Sequence, residues 1–220
     1  IVLCLLLNML DGYDVLSMAF AAPPLAEDWQ LSPQRLGIVF SAGVLGMTLG
    51  AMFLAPLTDR IGRRTMVLFA VTAMGLSMLA TAYVENLAFM VVLRILTGLG
   101  IGAMLASLTS MVSEFFPDRY RNLAVGINLA GYPLGATIGG FIAAPLIPIF
   151  GWQGVFLLGG VATLAVLPLC WFLLPESVHY LVSRQPRNAL DRANKVLQRL
   201  NITPMVSLPV LEQDPPAPSV

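Results

Sequence analysis

Long apolar stretches separated by short polar clusters run from Ile1 to Leu174. A hydrocarbon core about 30 Å thick is crossed by roughly 20 apolar residues of helix, and six stretches reach that length. The pattern predicts spans from Ile1 to about Ala22, ending at Pro23-Pro24, then from Leu36 to Leu57, from Thr65 to Val84 and from Leu87 to Val112. A fifth runs from Leu123 to Phe150, broken near its end by Pro145 and Pro148, and a sixth from Trp152 to Leu174, stopped by Pro175. The links are short, so successive spans are expected to be antiparallel neighbours.

Beyond Pro175 the pattern changes. Leu190, Ala193, Leu197 and Leu200 recur at helical spacing among basic residues, which predicts a short amphipathic helix on the inner leaflet. From Pro204 onward, Pro209, Pro215, Pro216 and Pro218 predict a flexible linker. The expected organisation is an all-α membrane bundle of six helices over 1–174, then a cytoplasmic amphipathic helix and Pro-rich linker over 175–220. Ile1 already lies inside an apolar run, so the chain is expected to begin just inside its first helix and to stop where a link to further helices follows.

Composition points to the same solvent. The 220 residues are 57% hydrophobic and 11% charged, with a mean hydropathy of +0.81. Soluble domains carry about 25% charged residues, so lipid is expected to cover much of this surface. A formal net charge of zero gives no footprint for a nucleic acid. Cys4 and Cys170 both sit in apolar runs and His179 is the single histidine, so no disulfide, metal site or cofactor is expected. Ten of the 12 Lys and Arg residues fall on one side: Arg60, Arg63 and Arg64 between spans two and three, Arg119 and Arg121 between four and five, and Arg184, Arg187, Arg192, Lys195 and Arg199 after the sixth. By the positive-inside rule that side is cytoplasmic, as are both ends of the chain.

Three features carry candidate chemistry. Asp11 and Asp14 lie inside the first span, and a spacing of three puts them on one helix face. Ionisable groups at membrane depth are costly and mark substrate or proton paths. Withdrawal from water disfavours a charged carboxyl, which makes these residues candidates for proton exchange; the alternative is a solvated pair near a helix end. Arg94 is the charge inside the fourth span, at a depth close to that of Asp14. Its guanidinium suits a bidentate carboxylate, from a substrate or from Asp14 as a structural pair. The segment Ala55-Pro56-Leu57-Thr58-Asp59-Arg60-Ile61-Gly62-Arg63-Arg64 makes a tight turn, with Gly62 permitting it and Asp59 placed to hold Arg63. In the fifth span Gly131, Gly135 and Gly139, with Gly140 beside them, form a small face that lets another helix approach. Asn8 and Tyr13 are expected to line a cavity beside the acidic pair. Trp29 and Trp152 fit interfacial anchors, and the methionines fit lipid-facing or core-filling positions.

The turn from Ala55 to Arg64 resembles the signature loop of the major facilitator superfamily, with Ala55 where that loop begins with Gly. Arg94 with Gly98, Gly100 and Gly102 resembles the superfamily's helix-four pattern. Glu114-Phe115-Phe116-Pro117-Asp118-Arg119-Tyr120-Arg121 resembles its loop between helices four and five, and Pro175-Glu176-Ser177 its helix-six motif. Asp11-Gly12-Tyr13-Asp14 and the run Gly131 to Gly140 resemble the aromatic acid:proton symporter family. The antiporter version of the helix-five motif has Pro where Ala136 stands, which argues against drug efflux.

This resemblance implies half of a pseudo-symmetric twelve-helix carrier that binds substrate at the midplane and rocks between states. It implies uptake of benzoate-type and 4-hydroxybenzoate-type acids with a proton across the bacterial inner or plasma membrane. Asp11 and Asp14 would take the proton and Arg94 the carboxylate. Asp59 with Arg63 would latch a cytoplasmic gate that includes Arg60, Gly62, Arg64, Glu114 and Arg121. The implied partners are a small carboxylate, a proton, the bilayer and a C-terminal six-helix half. The competing readings are a carrier for sugars, dicarboxylates or drugs, a non-transporting membrane protein such as a receptor or assembly factor, and an intramembrane enzyme. The last lacks a nucleophile–base or metal-ligand set in its spans.

Overall fold

The computed structural model describes residues 1–199 and 202–209. Four helices long and apolar enough to cross a membrane come first: α1 (Val2–Asp28), α2 (Pro33–Ile61), α3 (Arg63–Ala82) and α4 (Leu87–Phe115). The next element, Asp118–Leu173, has 56 residues and one break, Gly151, at φ 67° and ψ −170°. Glycine enters that region without a Cβ penalty, and the chain turns there into two helices, α5 (118–150) and α6 (152–173). Their directions follow from what they touch on α1. Gly131, Gly135 and Gly139 of α5 meet Leu5, Met9 and Tyr13 in ascending order. Trp152 of α6 meets Asp28, while Val155 and Gly159 lie against Tyr13. So α5 runs parallel to α1 and α6 runs back along it. Six spans result, and the described residues contain no strand.

The described residues form two compact units, Ile1–Leu174 and the part from Pro175 onward. In the first unit, helix ends are set by local chemistry. Ser32 caps α2, accepting from the Arg35 N–H, and Pro33 stands at the first helical position, where its missing N–H costs nothing. Asn86 caps α4 by accepting from the Phe89 N–H at 2.8 Å. A single residue, Gly62 at φ 96°, links α2 to α3. Near its end α2 carries a π-helical stretch, Gly50–Leu54.

Three expectations need correction, and the first is that Pro145 and Pro148 break the fifth span: α5 stays helical through both to 150, and the turn falls at Gly151. The first span does not end at Pro23-Pro24: α1 continues through both to Asp28, and the Trp29 N–H closes it on the Leu25 carbonyl at 3.0 Å. A proline removes one helical donor, but helix remains the way to satisfy the other backbone groups in lipid, and neighbouring helices brace the weakened turn. Trp152 is not an interfacial anchor. It is 2% exposed, its ring lies edge-on to Trp29 at 5.5 Å, and its Nε1 donates to Asp28 Oδ2 at 3.0 Å.

Methionine fills much of the interior. Met66, Met74, Met78, Met90, Met104 and Met111 are all buried, where an unbranched thioether adapts to irregular gaps. Two helix pairs approach through glycine. Gly46 and Gly50 of α2 face the backbone of α4 at Ile95 and Leu99, and Gly98 and Gly102 of α4 face α2 in return. Across the bundle, Gly12 of α1 and Gly135 of α5 abut each other's helix backbone, and a Cβ at Gly135 would overlap the Met9 carbonyl.

The second unit contains α7 (Val178–Arg184), capped by Ser177, and α8 (Ala189–Arg199). Ala193, Val196 and Leu197 form the apolar face of α8 and are buried, while Arg192 and Lys195 are exposed. The expected linker is tied down where it is described. Asn194 pairs with Met205 through both its amide groups, and Gln185 donates to the Pro209 carbonyl. Leu200, Pro215, Pro216 and Pro218 lie outside the described residues.

Candidate functional site: a buried Asp–Arg cavity

Extension of α1 to Asp28 puts Asp14 near the middle of the helix, about 20 Å from its far end at 1.5 Å per residue. Asp14 is 1% exposed and Asp11 is fully buried. At about 100° per residue, a step of three rotates the second side chain by about 60° from the first. That is enough to send the two carboxyl groups toward different neighbours. Asp14 lines a cavity of about 170 Å³ between α1, α2 and α4. Asp11 is not among its lining residues; Tyr132 of α5 lies within its electrostatic reach.

Arg94 of α4 lines the same cavity as Asp14. It is 4% exposed. Its Nη2 donates to Thr81 Oγ1 of α3 at 3.1 Å, and its Cζ stands 4.7 Å from the ring centre of Phe156 on α6. Asp14 and Arg94 act on each other electrostatically. The Asp14 carboxyl oxygens and Arg94 Nε nevertheless have no hydrogen-bond partner. The rest of the wall is mainly apolar, including Val39, Phe40, Val44, Met47 and Ile101. An acceptor, a buried cation and an apolar slot thus share one space inside the bundle.

Asn8 and Tyr13 are not part of it. Asn8 is buried with both amide atoms lacking a hydrogen-bond partner. The Tyr13 hydroxyl donates to the Val155 carbonyl at 2.6 Å, and its ring lies against Gly139 and Gly159. Tyr13 lines a second, apolar cavity of about 180 Å³ between α1, α5 and α6. Gly131 and Gly135 support the α1–α5 contact, and Gly140 lies against Phe20.

The basic turn forms a separate cluster. Arg63 pairs with Glu114 of α4 and stands 3.7 Å from Asp59, which is 67% exposed. Arg64 donates to the Trp171 carbonyl of α6 and stacks over its ring at 5.7 Å. Arg121 pairs with Asp118, and its Nε donates to the Ser113 carbonyl at 2.9 Å. Arg60 is exposed. Among the described residues no group of three or more His, Cys, Asp or Glu is placed to hold a metal ion.

Sequence reasoning missed Thr81 and Phe156, which contact Arg94. Threonine and phenylalanine are ordinary in membrane helices, and only their convergence from α3 and α6 singles them out. It also missed Asn128 and Thr163, both fully buried with side-chain atoms lacking a partner. Asn128 had a usable signal, an amide inside an apolar run.

Comparison with known proteins adds to this geometry. The sequence model of the Major Facilitator Superfamily matches residues 2–213. The chain is 44% identical over 185 residues to a gallate transporter of Pseudomonas putida, covering 84% of this chain and 41% of that protein. It is 43% identical over 197 residues to a 4-hydroxybenzoate transporter of Pseudomonas aeruginosa, covering 90% of this chain and 44% of that protein. The solved structure of a proton:xylose symporter superposes with a TM-score of 0.78 at 21% identity, over 91% of this chain and 49% of that one, a likeness of fold. The chain therefore spans less than half the length of the relatives it matches.

Proposed function

The chain belongs to the Major Facilitator Superfamily, and from that membership we propose that it is the N-terminal half of a secondary carrier for small aromatic carboxylates, taken up with a proton. The observation that carries this reading is the pairing of Asp14 and Arg94 on one buried, apolar-walled cavity, each with hydrogen-bonding capacity unused. A guanidinium held away from water is a strong receptor for a carboxylate. The aromatic ring of such a substrate would lie against Phe40, Val44 and Met47. A carboxyl group in the same cavity is placed to carry the coupling proton, so Asp14 is the proton carrier and Arg94 the substrate anchor. Asp11, buried three residues before Asp14 on α1, supports the proton path. A second six-helix half completes the cavity, and the membrane is the cell's inner or plasma membrane.

By the positive-inside rule the end of the bundle bearing Arg60, Arg63, Arg64, Arg119 and Arg121 faces the cytoplasm. There Asp59, Arg63 and Glu114 act as the latch between α2, α3 and α4. A sugar carrier is the weaker reading. A sugar's many hydroxyls each require a polar partner when buried, and this cavity offers few beyond Asp14, Arg94 and Thr97. The test is uptake of labelled 4-hydroxybenzoate by energised vesicles carrying the full-length protein. Accumulation should cease when the proton gradient is collapsed; accumulation indifferent to the gradient would remove the proton from the mechanism.

A further inference from the structure

Resting on the carrier reading above, we propose that Thr81 and Phe156 are positioning residues that hold the Arg94 guanidinium as a carboxylate receptor, and so set the carrier's preference for acids over neutral aromatics. Two helices, α3 and α6, converge on this one side chain of α4. The Thr81 hydroxyl donates to the Ser77 carbonyl at 2.7 Å, which commits its hydrogen and leaves a lone pair for Arg94 Nη2 at 3.1 Å. A hydroxyl with its proton so committed is a fixed acceptor. Phe156 is fully buried, and the Arg94 Cζ stands over its ring at 4.7 Å from the centre. Its ring is fixed in turn: Trp152 stands edge-on to it at 6.0 Å, and Asp28 holds the Trp152 indole. A ring face under the cation and one hydrogen bond from its Nη2 restrict both the position and the rotation of the guanidinium. With those contacts made from the α3 and α6 sides, the Nε–H has no partner and the residue borders the cavity shared with Asp14. A carboxylate needs a guanidinium edge held in one orientation to bind through two parallel bonds. Loosening the cation therefore costs recognition of the acid more than it costs the fold.

Thr81→Val keeps the shape of the side chain and removes the acceptor, while Thr81→Ser keeps the acceptor. Both are made in the full-length carrier and compared with wild type in vesicles. We read the KM and maximal rate of 4-hydroxybenzoate uptake, and the ratio of inhibition by 4-hydroxybenzoate to inhibition by its neutral amide. Thr81→Val should raise KM about tenfold at a maximal rate within about twofold of wild type, and the acid-to-amide ratio should shrink by about the same factor. Thr81→Ser should stay close to wild type. A purely structural Thr81 would lower abundance or rate and leave the ratio unchanged. Wild-type KM and ratio in Thr81→Val overturn the proposal. Should Thr81→Val not accumulate, Phe156→Leu decides in the same assays: a reduced ratio supports the proposal and a wild-type ratio overturns it. Wild-type vesicles that take up no aromatic carboxylate overturn the carrier reading itself, and are told apart by that control alone.

Discussion

Asp14, Arg94 and Asp59 illustrate how differently a charge behaves by location. An isolated ion deep in a protein costs several kcal/mol, so Asp11, Asp14 and Arg94 inside helices of a bundle are hard to explain by stability. These three were legible because each breaks an apolar run. Their division was not legible: Asp14 borders the Arg94 cavity and Asp11 does not, because a step of three residues leaves an offset that only neighbouring helices convert into different surroundings. Asp59 is the opposite case. It is exposed and 3.7 Å from Arg63, whose closer partner is Glu114. Exposed pairs contribute about 0–1 kcal/mol. We therefore expect Asp59→Asn in the full-length carrier to insert normally, with less than about 1 kcal/mol lost in stability, and to transport several-fold more slowly because the loop latch is weakened. Membrane abundance and uptake rate measured together check this; wild-type uptake would dismiss the latch.

Among the elements, glycine decides which helices meet. The spacing of Gly131, Gly135 and Gly139 announced a close contact, yet its partner was invisible until Leu5, Met9 and Tyr13 of α1 came to lie against it. The α2–α4 contact carried the same signal on both sides, since Gly46 and Gly50 repeat the i, i+4 spacing of Gly98 and Gly102, but nothing in the spacing said that these two faces meet each other. Proline misled twice at the same end of the bundle. It was expected to stop the first span at Pro23-Pro24 and to break the fifth at Pro145 and Pro148. Helix continues through all four, and the turn falls at Gly151 instead. The proline rule reflects competition from water, which is missing where every backbone group must bond within the protein. Gly135→Ala sets a Cβ against backbone that cannot yield and should cost about 1–3 kcal/mol as overpacking does. Gly126→Ala meets nothing within 4 Å and should be neutral or slightly stabilising. Melting of the purified carrier in detergent separates the two, and equal melting points would refute the assigned contact.

The whole molecule is half of a transport fold whose spans match those of proteins more than twice its length. The six-helix architecture was readable from hydropathy alone, since helix length in lipid is set by membrane thickness. The cavity was not, because it depends on Val39, Phe40 and Met47 of α2 closing over residues of α1 and α4. The central claim is that Asp14 and Arg94 serve transport and not merely each other. If they were only a structural pair, neutralising both would relieve the burial cost of each, and the double variant would outperform either single one. The most direct measurement is uptake of labelled 4-hydroxybenzoate by energised vesicles carrying full-length wild type or Asp14→Asn with Arg94→Gln, at matched membrane abundance. The account predicts a double variant that accumulates in the membrane like wild type and takes up no substrate. Substantial uptake by that variant would contradict it and return both residues to a structural role.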